Sequence, residues 1–151
     1  MAPARMDGRR LRVVAMATLD PHHAVLRQQW AEEAEALERR RRRLLDAATD
    51  AAHGLQAAWP EIEAVWLFGS AATAQALRRH SDLDLAVAGL PAAAHTAALG
   101  VVEQVVDTAL AAAAEAGTAI DLVRLEDLDP HWQQRIRQRA LRLGGSPPSP
   151  P

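Results

Sequence analysis

The sequence contains no cysteine and no lysine, so all seventeen of its basic residues are arginine. Without cysteine the chain cannot form disulfides or cysteine-ligated zinc sites, and thiolate catalysis is excluded. Without lysine it cannot carry the lysine of a phosphate-binding P-loop. The formal net charge is only −2, so the chain as a whole is not attracted to nucleic acid or to an anionic membrane. Any site for a polyanion must therefore be local.

Long apolar segments are also lacking. The apolar stretch near the N-terminus runs from Leu11 to Leu19, is interrupted by Arg12 and leads into Asp20. That stretch is too short and too poorly bounded for a signal sequence. Elsewhere no segment approaches the roughly 20 apolar residues that a membrane span needs. We therefore expect a soluble, cytoplasmic protein.

The spacing of apolar residues predicts helices that alternate with short strands. The predicted order is a helix over residues 24–53 ended by Gly54, a strand in "EAVWLFGS", about two helical turns over residues 71–79, a strand in "SDLDLAVAG", a helix closed by Gly117, a strand in "TAIDLVRL", and a helix capped by Asp129 with Trp132, Ile136, Ala140 and Leu143 on its inner side. This order predicts an α/β (α+β) fold with a small mixed three-stranded sheet covered by helices. The expected division is an N-terminal arm of unknown order over residues 1–20, one domain over residues 21–143 and a disordered tail over residues 144–151.

The first predicted helix carries five consecutive arginines, Arg39–Arg43. Five consecutive helical residues point around the whole circumference, so they cannot form one basic face. We interpret them as solvated helix surface, with Glu35 and Glu38 supporting Arg39 and Arg42 at the i,i+4 spacing. Contact with an acidic partner or with RNA is the alternative.

Histidine and tryptophan give weaker indications. The six histidines show no helical pair spacing that would predict a zinc site. His80, just before an acidic pair, is interpreted as a solvent-facing loop residue, with contact to a phosphate as the alternative. The four tryptophans are interpreted as core residues, with a base-stacking platform as the alternative: Trp30, Trp59, Trp66 and Trp132.

Asp82 and Asp84 stand one residue apart in an otherwise apolar strand. Residues i and i+2 of a strand project to the same face, about 6.5 to 7 Å apart. At that separation two carboxylates repel by about 2 to 2.5 kcal/mol at an effective dielectric near 20. Mg²⁺ would relieve this repulsion, because it prefers hard oxygen ligands and binds through carboxylates and substrate phosphates. Asp121 alternates with Ile120 and Leu122 in the third strand and could reach the same side of the sheet.

Gly69 and Ser70 end the strand that precedes the acidic pair. A glycine allows the backbone to approach a phosphate closely, and the first turn of a following helix offers free N–H donors to an anion. Three acids could serve two divalent ions about 3.5 to 4 Å apart, an arrangement used in phosphoryl transfer. The combination of a Gly-Ser turn, an acidic pair and a later strand acid therefore favours a functional site over an ordinary sheet surface.

The pattern "LFGS…HSDLDLAV…AIDLVRLEDL" resembles the minimal nucleotidyltransferases of the DNA polymerase beta superfamily, over roughly Ala24 to Leu143. The resemblance implies that Gly69 and Ser70 hold the triphosphate of ATP or another nucleotide, that Asp82 and Asp84 bind Mg²⁺, and that Asp121 helps to activate an acceptor hydroxyl. It also implies a two-ion site formed by these three acids. Stand-alone members of this size are similar to the antitoxin of bacterial toxin–antitoxin pairs, in which a HEPN ribonuclease toxin can be inactivated by transfer of AMP to a tyrosine.

The sequence departs from the pattern of this superfamily at two places. Thr73 and Ala74 stand where an Arg-Gly pair is common, and the segment between Ser70 and Asp82 is one residue longer than usual. An active enzyme that transfers a nucleotide to a partner protein, in an oligomer with that partner, is the leading interpretation. The alternatives are a catalytically impaired module that neutralises its partner by contact, and a transferase for a small molecule such as an aminoglycoside. No direct binding of nucleic acid is expected.

Overall fold

The computed structural model describes residues 20–73, 76–113, 115 and 117–145. The helices and strands in chain order are α1 (Pro21–Ala58), β1 (Ala64–Phe68), β2 (Leu83–Ala88), α2 (His95–Leu110), β3 (Ile120–Arg124), α3 (Pro130–Arg139) and β4 (Leu141–Gly145). The chain divides into two compact units, Met1–Ala36 and Leu37–Pro151. The second unit contains the sheet and the candidate site.

Helix α1 is longer than predicted at both ends. It begins directly after Asp20, whose Oδ1 accepts a hydrogen bond from the His22 N–H at 3.1 Å, so Asp20-Pro21 is a helix start. The prediction that Gly54 ends the helix was wrong, because the helix continues to Ala58. Packing outweighs the C-cap signal here, since Ala51, Ala52 and Leu55 around Gly54 are all fully buried.

The N-terminal part of α1 corrects another prediction. Leu26 and Trp30 were predicted on the buried side of the helix, but in the described part of the first unit Leu26 is exposed and Trp30 is 62% exposed. Periodicity identified the helix correctly but not what its apolar side would contact. The core interpretation of Trp30 was therefore wrong.

The sheet has four strands in the order β3-β2-β1-β4. β1 is antiparallel to both β2 and β4, whereas β2 and β3 are parallel. The α/β class and the mixed sheet are confirmed, and β4 is the strand that the sequence did not predict. The last helix was predicted to reach Leu143 but ends at Arg139, because Ala140 is already extended and the chain turns to pair with the free edge of β1. β4 also includes Gly144 and Gly145, the first two residues of the predicted tail, and residues 146–151 lie outside the described part.

The two faces of the sheet bury different residues. One face carries Leu83, Leu85 and Val87 of β2, which pack in the main core with residues of α1 and α2 such as Leu44 and Val106. The opposite face carries a smaller apolar cluster of Ala64, Trp66, Ala86, Ala88, Leu125 and Ile136. Ile136 anchors α3 on this second face, on which Asp84 also lies by alternation with Leu83 and Leu85. The alternation predicted for β2 is confirmed.

Two of the remaining elements differ from their predictions. Instead of two helical turns over residues 71–79, the structure has one short 3₁₀ turn over Ser70–Ala72, after which Thr73 is extended. Residues 74 and 75, and with them Ala74, lie outside the described part. Residues 92–113, which include α2, are long and apolar enough to cross a membrane by length and composition, contrary to the sequence analysis. One side of α2, however, packs in the main core through Ala98, Val102, Val106 and Leu110.

The last helix starts as predicted. Asp129 caps α3, and its Oδ1 accepts a hydrogen bond from the Trp132 N–H at 3.0 Å, with Pro130 in the first helical position. Ile136 is buried, but Trp132 is 50% exposed, so its predicted core role was wrong. Trp66 is buried as predicted, and Trp59 packs partly buried against the main core.

Candidate active site

Asp84 and Asp121 lie side by side on neighbouring parallel strands. The register pairs Asp84 of β2 with Asp121 of β3, so the two side chains leave the sheet on the same face. Neighbouring strands are about 4.8 Å apart. Asp82 stands one residue before β2 begins, two residues from Asp84, and its side chain follows the same alternation. The topology therefore brings together the aspartate trio, Asp82, Asp84 and Asp121, that the sequence predicted as a site.

The negative charges of the other two aspartates act on Asp84. The pKa of Asp84 is raised above its usual range, first by burial and then by the negative charges of Asp121 and Asp82. Among the described residues, the salt bridges do not involve any member of the trio. Within that part of the chain, the repulsion between these carboxylates is therefore not relieved by a salt bridge.

The trio fits a divalent cation in part. Within residues 20–73, 76–113, 115 and 117–145, no three acidic or histidine side chains are already drawn together as a metal site. Two in-register carboxylates are nevertheless what Mg²⁺ commonly takes from a protein, the other ligands being water and substrate phosphates. The donor set is therefore suited to a cation that arrives with a nucleotide rather than to one held by protein ligands alone.

Gly69 forms the wall next to Asp84. It follows Phe68, which pairs with Asp84 across β1 and β2. Its φ of 72° and ψ of −158° are essentially restricted to glycine. A Cβ at this position would overlap Oδ2 of Asp84 and would lie 3.1 Å from its Cγ. Glycine is therefore required here twice, for the bend of the chain and for the space that the carboxylate occupies.

Ser70 opens the 3₁₀ turn beyond Gly69. The turn is closed by the Ala72 N–H, which donates to the Gly69 carbonyl at 3.2 Å, and it is anchored by Ala71, which is buried. The sequence predicted that the first turn of a helix would offer N–H donors to an anion; in the structure the single 3₁₀ turn over Ser70–Ala72 takes the place of that helix. Ser70 lines the same cleft as Asp82 and Asp84.

An open cleft of about 530 Å³ lies against Asp82 and Asp84. Its lining contains two acids of the trio and a set of basic and hydroxyl side chains: Ser70, Arg78, Arg79, His80, Ser81, Asp82 and Asp84. The sequence analysis did not predict a role for Arg78, Arg79 or Ser81. The signal was present, since two arginines directly precede His80, but their side chains could be placed in the cleft only once the loop was known. Arg78 and Arg79 lie in the same loop as Thr73, the position at which the superfamily pattern has an arginine that this chain lacks.

The arginine run of α1 is only partly solvated, contrary to the simple interpretation. Arg42 is exposed and pairs with Glu38 at 3.4 Å, as predicted. Arg43 instead forms two hydrogen bonds to the Glu115 carboxylate, at 3.0 and 2.8 Å, and Arg40 lies 3.5 Å from the same carboxylate. The hydrogen bond from Arg43 is the main reason why the pKa of Glu115 lies below its usual range.

Known proteins resemble this chain to different degrees. Among solved structures, a toxin–antitoxin crystal structure with AMP-PNP matches 61% of this chain and 68% of its own, with 24% identity and a TM-score of 0.39. The toxin–antitoxin MntA-HepT matches 61% of this chain and 65% of its own, with 23% identity and a TM-score of 0.39. A tyrosine-to-alanine mutant of the same pair reaches 26% identity with a TM-score of 0.38, over 61% of this chain and 68% of its own. No curated protein matches the sequence.

The family comparison covers more than half of the chain. The model of the family described as "Polymerase beta, Nucleotidyltransferase" matches residues 53–143. The match includes Gly69, Ser70 and the whole aspartate trio. The resemblance inferred from the Gly-Ser turn and the spaced acids is thus confirmed, and the chain belongs to the polymerase beta nucleotidyltransferase family.

Proposed function

We propose that this protein is a Mg²⁺-dependent nucleotidyltransferase that moves AMP from ATP onto a hydroxyl group of a partner protein in the cytoplasm, and that it acts as the antitoxin of a HEPN-type toxin. One observation carries the catalytic part of this proposal. Asp84 and Asp121 stand in register on adjacent strands, with Gly69 packed against Asp84. The antitoxin role rests on the sequence resemblance to minimal nucleotidyltransferases.

Each residue has a distinct role in the proposed reaction. Asp82 and Asp84 would hold the cation, and Asp121 accepts the proton of the acceptor hydroxyl as its oxygen attacks the α-phosphorus of ATP. The bond from the α-phosphorus to the bridging oxygen breaks, and pyrophosphate leaves. Gly69 and Ser70 bind the phosphates through backbone N–H groups and the hydroxyl. When bound, Mg²⁺ would neutralise negative charge on the triphosphate.

The cleft supports a polyphosphate substrate. Arg78 and Arg79 line the same cleft of about 530 Å³ as Asp82 and Asp84, so basic and acidic residues border one volume. Guanidinium groups bind phosphate oxygens well because they offer several N–H donors in one plane. His80 also lines this cleft, which favours the phosphate-contact alternative for that residue.

A protein acceptor suits the shape of the cleft. The cleft beside Asp82 and Asp84 is open to solvent. An acceptor hydroxyl carried on the surface of a partner protein can approach such a cleft without an enclosed pocket around it.

The direct test is incubation with α-labelled ATP and Mg²⁺, with and without the protein encoded next to this one. Label on that neighbour is expected with the wild type and should be lost with Asp82→Ala. Asp50→Ala is a matched control, because Asp50 is an exposed acid on α1 outside the site. Equal labelling by Asp82→Ala and Asp50→Ala would contradict the proposed role of the trio.

A second candidate is neutralisation of the partner by contact alone. It is favoured by Thr73, which is extended and exposed at a position where the superfamily commonly has arginine. The double variant Asp82→Ala/Asp84→Ala separates the two functions. If this variant folds and still neutralises the toxin, contact is the mechanism; if neutralisation is lost while the partner still binds, transfer is the mechanism.

A further inference from the structure

Arg40 connects α1 to the residue directly before the acidic pair. Its Nη2 donates a hydrogen bond to the carbonyl oxygen of Ser81 at 3.1 Å. The side chain of Arg40 is only 13% exposed, so little solvent competes for this contact. Because the peptide group is planar, fixing the oxygen of Ser81 also fixes the orientation of the bond that enters Asp82.

Hydrogen bonds between Arg78 and Ser81 hold the part of the loop before Asp82. The Ser81 hydroxyl accepts a hydrogen bond from the Arg78 N–H at 2.7 Å, and the Ser81 N–H donates to the Arg78 carbonyl at 3.1 Å. After Asp82, the Leu83 N–H donates to the Ala119 carbonyl at 2.9 Å. The hydrogen bond from Arg40 therefore fixes the Ser81 carbonyl, which lies between the Arg78–Ser81 turn and the Leu83 N–H.

Arg40 is itself held in place by Glu115. Its Nη1 lies 3.5 Å from Glu115 Oε1, and Arg43 donates two hydrogen bonds to the same carboxylate. The low pKa of Glu115 keeps this carboxylate charged over the neutral range. The guanidinium of Arg40 is thus fixed between Glu115 and Ser81.

One feature of Arg40 argues against a role in stability alone. Its Nε is buried and has no hydrogen-bond partner among the described residues. A buried donor without a partner lowers stability, so an apolar side chain of similar length would suit a purely structural position better. A buried arginine at this position is explained if its hydrogen bond to the Ser81 carbonyl is needed for function.

We propose that Arg40 is a positioning residue that fixes the Ser81 carbonyl and thereby aims Asp82 at the volume next to Asp84. The proposal rests on the proposed function in so far as Asp82 is taken to hold a cation. It assigns to the arginine run a part in assembling the site, in addition to its exposed surface.

The test compares Arg40→Met, Arg40→Lys and Arg42→Met. Met keeps the apolar stem without the donors, Lys restores one donor to Ser81 without the planar fork, and Arg42 is a matched control because it is 74% exposed on the same helix and pairs only with Glu38 in the described part. Two quantities are measured below the melting temperature: Mn²⁺ affinity in the presence of the non-hydrolysable analogue AMP-CPP, by calorimetry, and hydrogen exchange of the peptide that contains residues 81–84.

We expect Arg40→Met to weaken Mn²⁺ binding by about tenfold, as for loss of an outer-shell ligand contact, and to speed exchange at residues 82–83. Arg40→Lys should recover part of both losses, and Arg42→Met should match the wild type. Wild-type exchange and affinity in Arg40→Met would overturn the positioning role. If the wild type itself takes up no Mn²⁺ with the analogue, the cation-binding part of the proposed function fails, and unchanged exchange in Arg40→Met would still overturn this inference separately.

Discussion

Replacement of Gly69 by alanine tests the geometry of the site most directly. The substitution adds one carbon atom next to Asp84, where an added Cβ would overlap Oδ2 and lie 3.3 Å from the Asp84 Cβ. It also places a side chain at φ 72° and ψ −158°. The variant therefore strains the backbone and displaces the Asp84 carboxylate from the position that it occupies beside Gly69.

The expected loss of stability follows from these two effects. Backbone strain in this region costs about 1–3 kcal/mol, and overpacking typically costs about 1–3 kcal/mol. Asp84 is only half-buried, so it can rotate and relieve part of the overlap. We expect a total of about 2–4 kcal/mol, which lowers the melting temperature by about 4–16 °C for a chain of this length.

Gly117→Ala is the matched control for the backbone effect. Gly117 also has a positive φ, 86°, but an added Cβ there would meet no atom of the described residues within 4 Å. It should therefore lose stability by about 1–3 kcal/mol and keep full nucleotide transfer. Gly69→Ala should in addition lose transfer by about 100-fold, because a displacement near 1 Å is sufficient for such a loss. Equal melting temperatures and full transfer in Gly69→Ala would refute the idea that Gly69 is a rigid wall for Asp84.

Three further predictions concern charge and capping. Burial and the charges of Asp121 and Asp82 raise the pKa of Asp84, so its ionised form destabilises the fold at neutral pH, and this penalty disappears as the pH falls through the raised pKa. Asp84→Asn should therefore raise the melting temperature at pH 8 but not at pH 3.5. An unchanged melting temperature at pH 8 would contradict this prediction. The hydrogen bond from Arg43 lowers the pKa of Glu115, so its contribution is present at neutral pH and lost as the pH falls through the lowered pKa. Glu115→Gln should therefore be less stable than the wild type at pH 7, with the difference in urea denaturation shrinking in acid; a constant difference would argue against ionic stabilisation. Asp129→Ala removes the cap of α3 and should reduce the free energy of unfolding by about 1 kcal/mol, measured by urea titration, whereas an unchanged value would mean that the cap is replaced by solvent.

The placement of the aspartate trio on one face of the sheet could be predicted because its signals are local and periodic. Alternation in β2 placed Asp82 and Asp84 on one face, and the same alternation in β3 placed Asp121 opposite its apolar neighbours. What the sequence could not supply was the register between the two strands. The prediction that Asp121 lies near Asp82 and Asp84 was therefore based only on the face of the sheet to which its side chain points. The pairing of Asp84 with Asp121 is a finding of the structure.

The errors occurred where tertiary contacts outweigh local signals. Gly54 looked like a helix end, but the buried residues around it keep α1 helical. β4 was missed because Ala140 and Leu143 also fit the periodicity of the preceding helix, and only the free edge of β1 selects the extended form. Trp132 fits the inner side of α3 by spacing yet is exposed, because Ile136 makes the contact with the sheet.

The parallel pairing of β2 and β3 has a consequence for how the protein would acquire the proposed activity. Parallel neighbours cannot be joined by a tight turn, and here the connection runs through α2. A slip of one residue during folding would turn Asp121 to the opposite side of the sheet. The long crossover must therefore close in the correct alignment before any chemistry is possible, so the gain of activity during refolding would report the completion of this slow, non-local step.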